Sequence, residues 1–416
     1  MKPSLPSLLC PLAMSFAFAA TPVHGETVRI AFIDPTSGPF SGLVQTLRRN
    51  LDESIIAVAK RDQWPAEFKV EVTAFDSKGS PQEATIQLKS AIDQGFRYIM
   101  QGLSSSVAMA LVEAVNKHNE RNPGKEVLLL DYVAADPDLT NAKCSFWHFR
   151  FEPNVDMWAE VIASFVVQDP KIAKVYILGQ NYSLGQQSSR ATREALKRKN
   201  PTLEIVGDDL VPLGQVKDFS PYVAKIKASG ADIVITSNYG PDLVNLIKAA
   251  KEASLKAGFF AVLARNQGVA AALGADGVGR VNAAMLWNPN NAQGAGRELV
   301  DNFKKKYPSD DISAPNTFNT IAMLTSAMRQ AKSTDPVKVA FAMEGMKMKG
   351  LGDEIEMRKS DHQLQEPVYV TTFVKTNGKD VKYDMDNTGY GWKNVQRFDT
   401  YVSTQPTSCQ MKRPGG

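Results

Sequence analysis

Short apolar segments alternate with longer amphipathic ones along most of this chain, and this alternation constrains the fold more than any other feature. Short apolar runs rich in β-branched residues indicate strands, whereas apolar residues repeated every three or four positions indicate helices. Strands that alternate with helices form a parallel sheet covered on both faces. We therefore expect an α/β protein. The first series predicts strands at 27–34, 68–76, 97–101 and 126–132 and helices at 42–60, 81–94 and 107–119.

The same rhythm begins again after an irregular stretch at 134–154. It predicts strands at 174–178, 203–210, 232–236 and 258–263 and helices at 155–167, 184–199, 219–228 and 242–253. Three further helices follow, and the region from residue 363 onward is rich in β-branched and aromatic residues; the helices are expected at 292–307, 316–332 and 336–346. Because no low-complexity or Pro/Ser-rich linker separates the blocks, short ordered segments must join two similar lobes.

The N-terminal residues have the pattern of a secretory signal peptide at 1–25. Lys2 supplies the positive start, 8–20 is apolar, and small residues precede a cleavage position after residue 25 or, alternatively, after residue 19. An apolar run of this length is too short to cross a bilayer, which favours a signal peptide over a membrane span. Cys10 raises the alternative of a lipoprotein, but a leucine precedes it where a small residue is required. We expect a secreted protein without a membrane anchor.

Basic and acidic residues are nearly balanced, with a formal net charge of +4 at pH 7, and are mixed throughout the chain. This distribution argues against nucleic-acid binding, which requires clustered positive charge. Two cysteines, Cys144 and Cys409, remain after the signal peptide. In an oxidising compartment they suffice for one disulfide, which would tie the C-terminal tail to the body of the protein. Two separate buried thiols are the alternative.

No motif of the chain indicates catalysis or a metal site. His118, His148 and His362 lack partners at metal-ligand spacing. The glycines at 274–279 do not match a dinucleotide fingerprint, and neither a Walker loop nor a nucleophile elbow occurs in the sequence. We therefore expect a binding protein without a metal, a cofactor or an enzymatic activity.

The segment 98–107, with the sequence YIMQGLSSSV, is the clearest candidate for a binding site. An apolar strand ends at Gly102, and three serines then begin a predicted helix. Serine is a preferred residue at the start of a helix, where the first N–H groups have no partner within the helix. Those donors and the positive end of the helix dipole favour a carboxylate or another small anion.

Several ordered motifs resemble the Leu/Ile/Val-binding proteins, the periplasmic solute-binding subunits of ABC importers. Each motif alone is weak, but together they follow the order and the approximate spacing of that family from about residue 28 to residue 374. The motifs are IAFIDPTSGPF at 30–40, DSKGSPQEA at 76–84, 98–106, DPDLT at 136–140, YSLG at 182–185, DFS at 218–220, NYGPD at 238–242 and DHQ at 361–363.

The resemblance implies a type I periplasmic binding protein, in which two Rossmann-like lobes with parallel sheets are joined by three crossovers and close on a ligand. It implies a periplasmic monomer that delivers a small molecule to an ABC permease with cytoplasmic ATPase subunits. We assign 26–150 and 288–350 to an N-terminal lobe. We assign 151–287 and 351–416 to a C-terminal lobe with a C-terminal extension. The alternative is a secreted sensor or accessory subunit, because the resemblance fades in the tail.

The ligand residues implied by the family fall on both lobes of this sequence. The turn that holds a ligand carboxylate falls on Leu103, Ser104 and Ser105, although these serines could also be a simple helix cap. Ala135 lies in the loop where the family offers a threonine hydroxyl. The aromatic walls of the second lobe fall on Tyr182 and Tyr239, which could instead only pack the hinge.

The family glutamate that receives a ligand ammonium falls near Gln267, which follows Arg265 and Asn266. Burying an ammonium without an anionic partner costs several kcal/mol, more than the roughly 0.3–2 kcal/mol that a helix end gains from a carboxylate. We therefore expect a ligand that has an acid or amide group but lacks the amine, such as an aromatic or aliphatic carboxylate. Arg265 could supply a second contact to an anion.

Overall fold

The structure is a computed structural model that describes residues 27–415, so the predicted signal peptide lies outside the described residues. Its first sheet has five parallel strands in the order β2-β1-β3-β4-β5. The helices that cover this sheet are α1 (Ser41–Arg61), α2 (Pro81–Asp93) and α3 (Ser105–Arg121). The strands are β1 (Thr27–Asp34), β2 (Lys69–Asp76), β3 (Tyr98–Gln101), β4 (Leu128–Asp131) and β5 (His148–Arg150).

The chain then builds most of a second sheet before it returns to the first lobe. The helices of this part are α4 (Val155–Val166), α5 (Ser183–Lys199), α6 (Ser220–Ser229), α7 (Gly240–Glu252) and α8 (Val269–Leu273). The strands are β6 (Lys174–Gln180), β7 (Glu204–Val211), β8 (Ile233–Thr236), β9 (Gly258–Ala261) and β10 (Val281–Met285). The expected alternation is confirmed, while β5 and β10 lie in stretches for which no strand was predicted.

The third part begins with helices α9 (Ala295–Lys306), α10 (Asn316–Ala331) and α11 (Pro336–Met343). A small antiparallel sheet follows, formed by β11 (Lys347–Lys349), β12 (Glu354–Met357) and β13 (Leu364–Gln365). The chain then adds β14 (Val368–Lys375) and β15 (Tyr390–Phe398) to the second sheet, and α12 (Thr400–Ser403) comes after them. The second sheet has the order β15-β14-β10-β9-β8-β6-β7, with β14 antiparallel to both of its neighbours.

Three crossovers connect the lobes. They lie between β5 and α4, between β10 and α9, and between β13 and β14. Ile355, Met357 and Leu364 pack in the core of the first lobe, beyond the position 350 at which our sequence-based division ended that lobe. We therefore propose a lobe boundary near residue 366, at the third crossover.

The C-terminal tail returns to the first lobe after α12. The predicted disulfide between Cys144 and Cys409 is confirmed, and it encloses the whole second lobe in a loop with a sequence separation of 265. Thr407 Oγ1 donates to the carbonyl oxygen of Thr140 over 2.7 Å, next to this disulfide. The tail therefore packs on the first lobe, although its preceding elements belong to the second.

Within the described range, none of the helices combines the length and the apolar composition needed to cross a membrane.

Candidate functional site

A cavity of about 50 Å³ lies between the two lobes, at the carboxyl ends of the parallel strands. A single water needs roughly 10–15 Å³ of such space, so the cavity can hold a small solute. Its wall is mainly apolar and comes from both lobes. The lining residues include Gly102, Leu103, Ser105, Ala135, Glu152, Trp158, Ile162, Tyr182, Leu184, Tyr239, Val262, Arg265 and Asn266.

The segment 102–105, which we call the serine wall, contributes Gly102, Leu103 and Ser105 to the first-lobe side of the cavity. The buried carboxylate of Asp34, at the end of β1, accepts hydrogen bonds from the N–H of Leu103 over 3.1 Å and from the hydroxyl of Tyr132 over 2.6 Å. A Cβ on Gly102 would lie 2.8 Å from Cε1 of Tyr132, so only glycine fits between β3 and this ring. The serine wall is therefore held by the sheet of its own lobe.

The two predicted serines have different positions. Ser104 caps α3, because its Oγ accepts a hydrogen bond from the N–H of Val107 over 3.4 Å, and its side chain is not part of the cavity wall. Ser105 lines the cavity, and its buried hydroxyl has no partner within the part of the chain that the structure describes. Ser105 and Leu103 are thus the residues of the predicted turn that face the cavity.

Burial is the main influence on the pKa of Asp34, the carboxyl behind the serine wall. It raises the pKa of the Asp34 carboxyl from 3.8 to about 7, even though hydrogen bonds from Tyr132, Leu103 and Gly102 oppose the rise. A desolvated carboxylate favours its neutral form unless its partners compensate fully. The negative charge of Asp34 behind the serine wall is therefore reduced below neutral pH.

Two tyrosines contribute to the second-lobe side of the cavity, and one of them, Tyr239, reaches across the cleft. Tyr182 precedes α5 and Tyr239 precedes α7, each just after the end of a strand of the second sheet. The hydroxyl of Tyr182 donates to the hydroxyl of Tyr239 over 3.2 Å. The Tyr239 hydroxyl donates to the carbonyl oxygen of Leu103 over 3.3 Å. This chain of hydrogen bonds joins the lobes in a closed arrangement.

The second lobe also supplies an apolar pocket that sequence reasoning missed. Trp158 and Ile162 lie one helical turn apart on α4, Leu184 lies in the first turn of α5, and Val262 follows β9. All four side chains are buried and line the cavity. The apolar spacing of α4 was visible in the sequence, but it did not distinguish a cavity wall from an ordinary core.

Arg265 and Glu152 form the charged part of the wall, and both are buried. Nη2 of Arg265 lies 3.2 and 3.4 Å from the two carboxylate oxygens of Glu152, and its Nε donates to the carbonyl oxygen of Ser313 over 2.8 Å. Nη1 of Arg265 has no hydrogen-bond partner among the described residues. Because an unpaired buried donor is costly, this nitrogen is suited to a ligand oxygen.

Glu152 was not identified from the sequence. It follows β5, a strand that was not predicted, and Nδ2 of Asn316 donates to its carboxylate. Burial raises the pKa of the Glu152 carboxyl above its usual range, and the Arg265 guanidinium and the Asn316 amide act against that rise. The apolar-charged alternation at 149–152 is the sequence signal that could have located it.

The remaining predicted residues divide into two groups. Ala135 lines the cavity, and its role in ligand binding stays a prediction. Gln267 lies outside the wall, where its Oε1 accepts from Thr46 Oγ1 over 3.2 Å and its Nε2 donates to Asp310 Oδ1 over 2.9 Å. The neighbouring Arg265 lines the cavity instead, so we do not include Gln267 in the site proposed below.

Across 27–415, no group of three or more His, Cys, Asp or Glu side chains is arranged to hold a metal ion.

Comparison with known proteins agrees with this two-lobed architecture. A sequence profile described as periplasmic binding protein matches residues 27–379. The chain is 32% identical over 413 residues to the Leu/Ile/Val-binding protein homolog 4 of Brucella melitensis, and the alignment covers 97% of each chain.

Two solved structures have the same fold. A leucine-, isoleucine-, valine-, threonine- and alanine-binding protein from Brucella ovis, in a closed conformation, is 30% identical, with a TM-score of 0.81 and coverage of 94% of this chain and 100% of that chain. A solute-binding protein of an ABC transporter from R. palustris, in complex with 4-hydroxybenzoate, is 19% identical, with a TM-score of 0.75 and coverage of 90% and 98%. The fold, the interlobe cavity and these relatives together identify the chain as a type I periplasmic binding protein of the Leu/Ile/Val-binding family.

Proposed function

We propose that this protein is the periplasmic substrate-binding component of an ABC importer and captures a compact carboxylate that lacks an amine. The observation that carries the proposal is the unpaired, buried Nη1 of Arg265, a residue that lines an otherwise mainly apolar cavity. The protein carries out no chemical step of its own. It binds the solute between its lobes and presents the closed form to a permease with cytoplasmic ATPase subunits.

The polar groups of the cavity suit an acid. A guanidinium donates planar hydrogen bonds that match a carboxylate, and charge-assisted bonds of this kind are about twice as strong as neutral ones. The hydroxyl of Ser105 and the N-terminal end of α3 provide further donors on the opposite wall. An acid would therefore satisfy donors of both lobes at once.

The same groups are poorly suited to an α-ammonium. Glu152 is the only acid among the described residues of the wall, and its carboxylate already accepts from Arg265 and Asn316. A buried ammonium without a free anionic partner costs several kcal/mol. The cavity therefore favours an acid over an amino acid, even though the B. ovis structure is named for the binding of amino acids.

The rest of the ligand should be apolar and small. Trp158, Ile162, Leu184 and Val262 provide an apolar pocket in the second lobe, and burial of apolar area contributes roughly 25 cal/mol per Å². The R. palustris structure, described as a complex with 4-hydroxybenzoate, supports an aryl acid as one member of this class. We propose an aromatic or branched aliphatic carboxylate.

Isothermal titration calorimetry with matched ligands tests this proposal. The matched pair is leucine and 4-methylpentanoate, which differ only in the amine, and benzoate and 4-hydroxybenzoate extend the series. We expect each carboxylate to bind at least ten times more tightly than leucine. Leucine binding as tight as that of 4-methylpentanoate would contradict the ligand class. Uptake of the radiolabelled ligand in a deletion strain tests the role in import, and unchanged uptake would favour a sensor.

A further inference from the structure

We propose that Arg265 determines the ligand preference by forming an ion pair with Glu152. This carboxylate would otherwise bind a ligand ammonium, so the cavity contains an ammonium site that the arginine masks. In the native protein the arginine neutralises the carboxylate and presents its remaining nitrogen to an acid. Without the arginine, Glu152 becomes available to a ligand amine. This inference rests on the proposed function, because it explains how the site selects against amines.

The position of Glu152 does not depend on Arg265 alone. Nδ2 of Asn316 donates to the Glu152 carboxylate and also to the carbonyl oxygen of Tyr132, the latter over 2.9 Å. Asn316 begins the long buried helix α10, so this contact comes from the core of the first lobe. The carboxylate should therefore remain at the cavity wall when the arginine is replaced.

The acidic groups around Glu152 disfavour its ionised form, so this form requires a cationic partner. Asp131 lies close enough to disfavour its ionised form, and the buried Glu366 of the third crossover is a further carboxyl nearby. Arg265 is the cation that opposes these effects. A carboxylate that loses its only cationic partner must either take up a proton or bind another cation. A ligand ammonium can be that cation, because Glu152 itself lines the cavity.

Arg265 is also the residue whose removal creates room for an amine. Its guanidinium extends from the second lobe to Ser313 O and to Glu152, so it fills the part of the cleft in front of the carboxylate. Glutamine is shorter and neutral, and therefore opens this space without adding charge. Lysine at the same position keeps the positive charge and should leave the site masked.

The test compares Arg265→Gln, Arg265→Lys, Glu152→Gln and the double variant Arg265→Gln/Glu152→Gln by calorimetry with leucine and 4-methylpentanoate. For Arg265→Gln we expect leucine to bind at least ten times more tightly than it binds the native protein, and 4-methylpentanoate at least ten times more weakly. Arg265→Lys and the double variant should show no gain for leucine.

A proton readout separates the unmasking of Glu152 from a mere enlargement of the cavity. Leucine binding to Arg265→Gln should release up to one proton at pH 7, measured in buffers of different ionisation enthalpy, because the ammonium returns Glu152 to its ionised form. The double variant should release none. If the glutamine variant is too unstable for calorimetry, Arg265→Met replaces it, and the rise in thermal midpoint on adding leucine is measured instead.

Two outcomes have distinct meanings. If the folded Arg265→Gln or Arg265→Met variant binds leucine no better than the native protein, or if the double variant gains as much as the single one, the masked site is refuted. If the native protein already prefers leucine, the proposed ligand class fails, but a further gain by Arg265→Gln that requires Glu152 still supports the masked site.

Discussion

The two walls of the cavity are built by different means. The serine wall of the first lobe lies at a single strand–helix junction, and its supports, Asp34 and Tyr132, belong to the same lobe. The wall of the second lobe consists of side chains, and Tyr239 and Arg265 have hydrogen-bond partners in the first lobe. The first wall can therefore exist before closure, whereas the second is completed only when the lobes meet.

This difference suggests an order of events during binding. We expect the carboxylate proposed as the ligand to contact the serine wall of an open protein first, and Tyr239 and Arg265 on closure. Ligand contacts that exist only in the closed form shift the equilibrium towards that form. The following predictions test how far the two walls are independent, beginning with the largest expected effect.

The disulfide should contribute most to the coupling between the lobes. It closes a loop with a sequence separation of 265, which contains the whole second lobe. Cross-links of long loops contribute about 2–5 kcal/mol, largely by restricting the unfolded chain. We expect the double variant Cys144→Ser/Cys409→Ser to lose free energy of unfolding in this range, measured by urea denaturation.

The control for this prediction is the native protein under a reducing agent, which should reproduce the loss seen in the double variant. Ligand affinity should change less than stability, because neither cysteine lines the cavity. An unfolding free energy that is the same with and without the disulfide would show that the tail does not couple the lobes.

The buried Asp34 should make the first wall sensitive to pH. Its folded pKa of about 7 is raised above the ordinary 3.8, so the stability that protonation provides is complete below about pH 4 and is lost as the pH rises through 7. Asp34→Asn removes this titration while keeping an acceptor for Leu103. Relative to that variant, we expect the native protein to lose up to about 4 kcal/mol of unfolding free energy between pH 4 and pH 8.

Urea denaturation of both proteins across this range measures the difference, and other titrating groups cancel because they are common to both. A difference that is independent of pH would mean that Asp34 stays ionised behind the serine wall. If the native protein instead gains unfolding free energy over the variant as the pH rises, the ionised form of Asp34 and not the protonated form stabilises the fold.

The sequence predicted the serine wall well because its determinants are local. A buried strand, a glycine and a capping serine within the segment 98–107 define both the turn and the start of α3. The choice between Ser104 and Ser105 was not predictable in the same way. Which serine caps the helix depends on where the helix begins, and a shift of one residue exchanges the two roles.

The second wall was predicted only in part because its determinants are distant in sequence. Tyr182 and Tyr239 were located because each directly follows a strand of the repeated pattern. Arg265 and Glu152 are 113 residues apart in the sequence, so no local pattern could reveal the pair. The expected role of Gln267 rested on the family resemblance alone, and the structure places Arg265 and not Gln267 in the cavity wall.

The pair Ser105→Ala and Ser104→Ala distinguishes a cavity residue from a cap residue on the same wall. Ser105→Ala removes an unpaired hydroxyl from the cavity and should weaken carboxylate binding by about 1–3 kcal/mol, with little effect on stability. Ser104→Ala removes the cap of α3 and should lower the free energy of unfolding by about 0.5–2 kcal/mol, with a smaller effect on affinity. Calorimetry and urea denaturation of both variants measure the two quantities, and a reversal of the pattern would exchange the assigned roles.

Tyr239→Phe should have the smallest effect and acts on closure itself. The substitution removes the hydroxyl that donates to Leu103 O across the cleft and leaves the ring packed against Phe40, with ring centroids 5.4 Å apart. Loss of one such bond should disfavour the closed form by about 0.5–1.5 kcal/mol. Fluorescence energy transfer between dyes on the two lobes measures the open and closed populations.

Tyr182→Phe is the matched control, because the hydroxyl of Tyr182 reaches Tyr239 but not the first lobe. This variant should shift the closure equilibrium less. An equal shift in both variants would indicate that the closed form depends on the pair of hydroxyls as a unit and not on the single bond to the serine wall.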